Sequence, residues 1–238
     1  MKDEVAELRA LSESWTAEQV LQWAFEKFGN QVAISSAFGA EGTVLIDIAS
    51  KLRRDFRVFT VDTEFLFPET YNLMDKIEQQ YGIEIERVYS LLSPEDQERA
   101  HDPALWSRDP DQCCNLRKVE PLKRKLSQLQ AWITSIRRDQ TADRASAGKI
   151  EWDVKFDLVK INPLADWTSA QIWTYIRQHD LAYNPLHDRS YPSIGCTHCT
   201  RAVAPGEDPR AGRWPGLSKT ECGLHLIAPA PTPPEVDA

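Results

Sequence analysis

Apolar positions along the chain switch repeatedly between a helical and a strand period. Thr16-Ala17-Glu18-Gln19 has the form of a capping box, and Val20, Leu21, Ala24, Phe25 and Phe28 follow on one helical face before Gly29 ends the helix. Val32 to Ser35 reads as a short buried strand, Ser36 to Gly42 as a loop, and Thr43 to Leu52 as a second helix. The alternation continues with a strand over Arg57 to Val61, a helix over Pro68 to Tyr81 with proline at its start, and a strand over Ile83 to Val88. A helix over Asn115 to Leu129 precedes a strand over Ala131 to Ser135. Short strands separated by helices imply an α/β fold with a doubly wound, mainly parallel sheet covered on both faces.

The later chain is less regular. Glu151 to Lys160 reads as a strand or hairpin arm, and Asp166-Trp167-Thr168 introduces a helix carrying Ile172, Trp173 and Ile176. Over 181–228 the content of Pro, Gly, Cys and Arg rises and periodicity fades, which predicts a loop-rich segment pinned by a metal. Residues 229–238 contain four prolines and little to bury, so they are expected as a disordered tail behind a single domain over 1–228. With 238 residues, 42% of them hydrophobic, the chain can build one substantial core. The charged start and the lack of a long apolar run predict a soluble cytoplasmic protein that does not insert in a membrane. A formal net charge of -8 disfavours a nucleic-acid partner but leaves room for a local basic pocket.

Three candidate sites fall at predicted C-terminal strand ends, the rim where open α/β sheets bind ligands. The loop with Ser35, Ser36, Phe38, Gly39 and Glu41 opens a helix, and its small residues allow backbone N–H groups to approach a phosphate. It matches neither a Walker loop nor G-x-G-x-x-G, so an ordinary strand-to-helix turn is the competing reading. Asp62 and Thr63 end the next strand, where Asp62 suits a ribose hydroxyl or, equally, a helix cap. Arg137 and Arg138 end another, with Arg144 following. Guanidinium forks suit an anion with several oxygens, although paired arginines in a solvated loop are common.

The five cysteines divide four and one. Cys113-Cys114 and Cys196-x-x-Cys199 offer four thiolates, and Cys222 stands alone. In a reducing compartment such pairs are more often metal ligands or redox groups than disulfides. Adjacent cysteines fit the usual zinc template poorly, while a four-iron cluster accepts one thiolate per corner; zinc remains the alternative. Cys222 has polar flanks, with Lys219, His225, Arg210 and Arg213 near it in sequence, so a reactive thiolate is favoured over an inert buried thiol.

These residues carry a family resemblance. From about Val20 to Leu226 the chain resembles the adenylyl-sulfate (APS) and phosphoadenylyl-sulfate (PAPS) reductases. The resemblance rests on the serine-rich loop Ser35 to Glu41, Val61-Asp62-Thr63-Glu64-Phe65-Leu66-Phe67-Pro68-Glu69-Thr70, the arginine loop Thr134 to Arg138, Lys160 to Trp167, and Glu221-Cys222-Gly223-Leu224-His225. The paired cysteines are similar to those of the iron-sulfur branch, which mostly uses APS. Two positions depart from the family pattern: Glu64 and Ser135 stand where glycine is usual. Glycine has positive-φ freedom that Glu64 lacks, and its charge would lie near an anionic ligand.

The resemblance implies an adenine-nucleotide alpha-hydrolase type of sheet, one [4Fe-4S] cluster on Cys113, Cys114, Cys196 and Cys199, and neither flavin nor nicotinamide. It implies that Cys222 attacks the sulfur of APS, with Lys118, His225, Arg210 and Arg213 as electrostatic support, and that Ser35, Ser36, Phe38, Gly39, Glu41, Asp62, Thr63, Arg137, Arg138 and Arg144 bind the substrate. Thioredoxin or glutaredoxin would then release sulfite from the enzyme. A homo-oligomer is left open, as are PAPS or dual specificity and a non-catalytic nucleotide-binding module with a structural metal.

Overall fold

The computed structural model describes residues 1–217, 219 and 221–225; the expected tail and the end of the loop-rich segment lie outside them. Six strands form one sheet in the order β3-β2-β1-β4-β6-β5. They are β1 (Val32–Ser35), β2 (Val58–Asp62), β3 (Ile85–Tyr89), β4 (Ala131–Ile133), β5 (Ile150–Asp153) and β6 (Leu158–Ile161). All neighbours run parallel except β5 and β6, which form an antiparallel hairpin at one edge. This is the doubly wound sheet expected from the pattern, with the Glu151–Lys160 region resolved as a hairpin.

Helices cover both faces. α1 is Lys2–Leu11, α2 Ala17–Phe28, α3 Ala40–Leu52, α4 Pro68–Tyr81, α5 Pro94–His101, α6 Leu105–Arg108, α7 Pro110–Cys114, α8 Glu120–Leu126 and α9 Ser169–Gln178. The caps explain where several begin. Thr16 accepts from Gln19 N while the Gln19 side chain returns to Thr16 N, and Thr168 and Gln171 repeat the arrangement for α9. α3 starts three residues earlier than its apolar period, because Gly39 ends the loop and Ala40 is buried. The main core packs α2, α3, α4 and α9 against β1, β2, β4 and β6. A smaller core on the other face gathers Phe59, Trp132, Leu122, Leu126 and Leu158.

Two departures from the expected pattern matter for the site. α5, which the apolar period did not show, is polar almost throughout and is started by Ser93, whose hydroxyl accepts from Asp96 N; it buries only Gln97. The expected helix over Asn115 to Leu129 is broken instead into α7, a π-helical turn at Asn115–Val119, and α8. Pro121 has no N–H to return to the carbonyl of Arg117, so an unbroken α-helix would leave that acceptor unmet. The wide turn carries Arg117 and Lys118 into the interior. Among the described residues no helix is long and apolar enough to cross a membrane.

Leu45 is fully enclosed between α3 and its neighbours. Leu45→Ala is expected to lower unfolding free energy by about 2–5 kcal/mol in urea denaturation. Removing the exposed Lys2–Asp157 ion pair with Lys2→Ala should change it by no more than about 0.5 kcal/mol.

Candidate active site and cysteine centre

The cysteines converge from distant parts of the chain. Cys113 and Cys114 end α7, and Cys196 and Cys199 flank one 3₁₀ turn. That turn is pinned to the segment after β2 by a bridge between Leu66 and Cys196 and by Thr197 N donating to Phe65 O at 2.8 Å. All four cysteines line one cavity with Phe65, Trp106, Arg117, Lys118 and His198. Half-buried Cys222 packs against the same group beside Trp214. The isolated thiol and the paired ones therefore share a neighbourhood.

No group of three or more His, Cys, Asp or Glu among the described residues is placed to hold a single metal ion. The four thiols line one shared cavity. A single tetrahedral ion would draw its sulfurs to about 3.8 Å apart at a metal–sulfur distance of ~2.3 Å; a four-iron cluster spreads its ligands further. Two buried donors at this site, Arg117 Nη2 and Trp214 Nε1, have no partner among the described residues, and Thr63 Oγ1 lies 3.3 Å from Cys196 Sγ. Donors gathered round thiolates and a cavity suit an anionic, sulfur-rich group. Burial, joined by the neighbouring cysteines, pushes the Cys113 and Cys199 thiols up to about 11, so these two favour the thiol form in the absence of metal. His198 stacks on Trp106 at 4.8 Å and edges onto Phe65.

Lys118 is the cation of this centre. Burial opposes its charge, but the neighbouring sulfurs of Cys196, Cys114 and Cys222 outweigh that cost and raise its pKa above the ordinary lysine value. Arg213 lies over the Trp214 ring at 4.6 Å and donates to Ser193 Oγ and Ile194 O. It also crosses the face of Gly195, where any Cβ would strike its guanidinium.

The arginines expected on the substrate are held by carboxylates. Arg137 pairs with Glu41 at 3.0 Å and with Asp139. Arg144 pairs with Glu221 at 3.0 Å, and Arg210 lies 3.5 Å from the same carboxylate. Glu221 was visible in the sequence only as the residue before Cys222; here it brings the thiol's segment onto two arginines. Lys155 Nζ donates to Gly223 O at 2.6 Å and adds another tether.

Several residues expected on the substrate hold other partners in the structure. Arg138 turns away from the rim, donating to Glu13 at 2.6 Å and to Ala147 O, so it fastens the N-terminal segment. Phe38 is buried in the main core at φ 56°, which leaves only its backbone to the loop. Thr63 Oγ1 faces Cys196 Sγ. Asp62 Oδ1 is taken up by Tyr71 Oη at 2.7 Å and Glu64 N at 2.9 Å, which fixes the turn. Ser36 Oγ accepts from Phe38 N and sits where a Cβ on Gly42 would collide, so its role is to shape the loop. Ser35, Gly39 and Glu41 do stand at the rim, at the end of β1 and the start of α3.

His225 is also revised. It stacks on Trp132 at 5.5 Å, and burial followed by the charges of Lys160, Arg144, Arg210 and Lys155 holds its pKa well below the usual histidine value. It is neutral at pH 7 and cannot serve as a cation. Lys160 lies over the other ring partner, 5.8 Å from Trp132, and pairs with Glu151. Asn162 accepts from Thr134 Oγ1 and donates to Gly148 O, so the Lys160 to Trp167 motif braces the sheet edge.

Residues 31–202 match the family profile described as the phosphoadenosine phosphosulfate reductase domain. The chain belongs to this family. It is 47% identical over 207 residues to a protein of Halalkalibacterium halodurans named adenosine 5′-phosphosulfate reductase, covering 87% of this chain and 90% of the relative. It is 45% identical to adenosine 5′-phosphosulfate reductase 2 of Bacillus subtilis, covering 87% and 88%. The solved phosphoadenylyl-sulfate reductase of Candida auris, in a phosphate complex, is similar with a TM-score of 0.74 and 30% identity, covering 84% of this chain and 98% of that one. A Candida glabrata FMN adenylyltransferase shares the fold alone, at a TM-score of 0.56 and 15% identity.

The placement of His225 generates a pH dependence. Its folded pKa is depressed, so the neutral ring stabilises docking above the ordinary histidine range, and that contribution is lost as pH falls below about 6.5. Acidification from pH 7.5 to 5.5 should speed alkylation of Cys222 relative to a free thiol measured at the same pH. His225→Phe should flatten that ratio; an unchanged slope in the variant would remove His225 as its cause.

Proposed function

We propose that the chain reduces adenosine 5′-phosphosulfate to sulfite and AMP in sulfate assimilation, with Cys222 as the nucleophile. The observation that carries the reading is the convergence of Cys222 with Lys118, Arg144, Arg210 and Arg213 at the sheet rim, in a chain 47% identical to a relative of that name. The names of the curated relatives favour APS over PAPS, and their enzymatic identity disfavours a purely structural module.

In this reading the nucleotide lies over Ser35, Gly39 and the start of α3, where the helix N-terminus presents backbone N–H groups. Its phosphosulfate takes the place of the Glu221 carboxylate on Arg144 and Arg210. Cys222 attacks the sulfur, the bond from sulfur to the phosphate oxygen breaks, AMP leaves and an S-sulfocysteine remains. A thiolate of thioredoxin or glutaredoxin attacks Cys222 Sγ and displaces sulfite; its second thiol then resolves the mixed disulfide. The dithiol supplies the two electrons and Cys222 returns unchanged.

Lys118 and Arg213 offset the repulsion between a thiolate and an anionic substrate. Cys113, Cys114, Cys196 and Cys199 would hold one [4Fe-4S] cluster, which supplies local charge and fixes the turns that carry Lys118. The electron count requires no flavin or nicotinamide. Cytoplasmic residence accords with a reducing dithiol partner and with free thiols.

Incubation with APS in the absence of reductant should leave Cys222 heavier by one sulfonate and release an equivalent of AMP by mass spectrometry. Cys222→Ser should form no adduct and no sulfite yet keep the brown absorbance of a cluster. An adduct on another cysteine would sink the assignment. Glu221→Gln removes the competing carboxylate, so KM for APS should fall by about 3- to 10-fold, each tenfold corresponding to ~1.4 kcal/mol, while kcat falls with the loosened segment. A KM that rises or stays fixed would show that Glu221 does not compete with the substrate.

A further inference from the structure

The sequence departure at Glu64 has a partner that explains it. Glu64 holds φ at 60°, in the left-handed region where glycine is favoured. Its carboxylate accepts from Arg117 Nη1 at 2.8 Å, and the Arg117 side chain is only 1% exposed. The family's glycine would be easier on the backbone, but it has no carboxylate to offer this guanidinium. Charge near the ligand, a concern raised by the sequence, is thus already paired.

A second residue fixes another edge of the same guanidinium. Arg117 Nε donates to Gln97 Oε1 at 2.7 Å, and the other end of that amide, Nε2, lies 4.0 Å from Cys113 Sγ. Because the arginine can only donate, the amide oxygen must face it and the amide nitrogen must face the sulfur. Phe65 lies beneath the guanidinium, 5.1 Å from its centre. With Nε and Nη1 both held, a planar group has no remaining freedom to reorient. Arg117 lines the cavity of the four cysteines, and Nη2 has no partner among the described residues.

We propose that Gln97 and Glu64 are positioning residues that lock Arg117 so that Nη2 donates into the cysteine cavity. This inference rests on a metal centre at the four cysteines. Gln97 does two things at once, orienting the arginine and meeting one ligand sulfur. Of Glu64, Arg117 and Gln97, Glu64 alone reaches partly exposed surface, at 34%. It offsets the arginine's charge beside the thiolates, so the centre sees a hydrogen bond without a full uncompensated cation.

The test uses the full chain loaded with iron and sulfide, with iron release to a chelator as its readout. Gln97→Leu should release iron about tenfold or more faster, the usual scale for losing a residue that orients a metal site. Gln97→Glu, which keeps the acceptor for Arg117 but not the donor to Cys113, should recover part of the loss. Glu64→Gly removes the backbone strain, so it should keep its far-UV circular dichroism while releasing iron faster and shifting the visible charge-transfer band. A purely structural role would not separate those readouts. Wild-type release from both Glu64→Gly and Gln97→Leu would overturn the proposal. If the loaded chain is colourless and holds zinc, the cluster reading fails, and zinc release from the same variants decides the positioning role by the same ratios.

Discussion

Arg117, Lys118, Arg137 and Arg144 are all buried, and a buried cation without a negative neighbour is too costly to keep. That constraint organises the whole rim. Arg117 faces Glu64, Arg137 faces Glu41, Arg144 faces Glu221, and Lys118 faces the sulfurs of Cys196 and Cys114. The anions come from the β1 loop, the β2 turn, the π turn's neighbours and the last described residues, so charge balance joins segments that share no secondary structure. The sheet supplies the framework; these pairs decide how the loops sit on it.

The balance also explains why a site built for an anionic substrate is not left electrostatically open. Glu221 belongs to the segment that carries Cys222, so the group paired with Arg144 and Arg210 travels with the proposed nucleophile. A ligand that claims those arginines releases the carboxylate and the thiol together. Binding and the freedom of Cys222 to meet a second protein are thereby coupled through a single carboxylate, in the proposed cycle.

Local signals made much of the fold legible. The capping box at Thr16, proline at the start of α4 and the alternating apolar runs foretold the order of helices and parallel strands, because each is encoded within a few residues. α5 was not legible, since it buries one glutamine and has no apolar stripe. The π turn hides inside what reads as a continuous helix, and only the consequence of Pro121 for Arg117 marks it. At the site, the cysteine grouping could be read from spacing, whereas the fate of each arginine could not. Arg137 and Arg138 are adjacent, yet one faces Glu41 at the rim and the other Glu13 near α1, and His225 gains a ring partner in Trp132 that lies 93 positions earlier. Long-range neighbours set these outcomes.

The crossing of Arg213 over Gly195 has a bearing on how such chains can diverge. The guanidinium occupies the space of a side chain that position 195 does not have, next to the turn bearing Cys196. A larger residue there would meet the far end of a flexible side chain, so Arg213 would have to shift from its present seat over Trp214. An exchange of that glycine is therefore coupled to where the arginine can sit. The two positions share one volume, and the size of the residue at one limits the conformation open to the other.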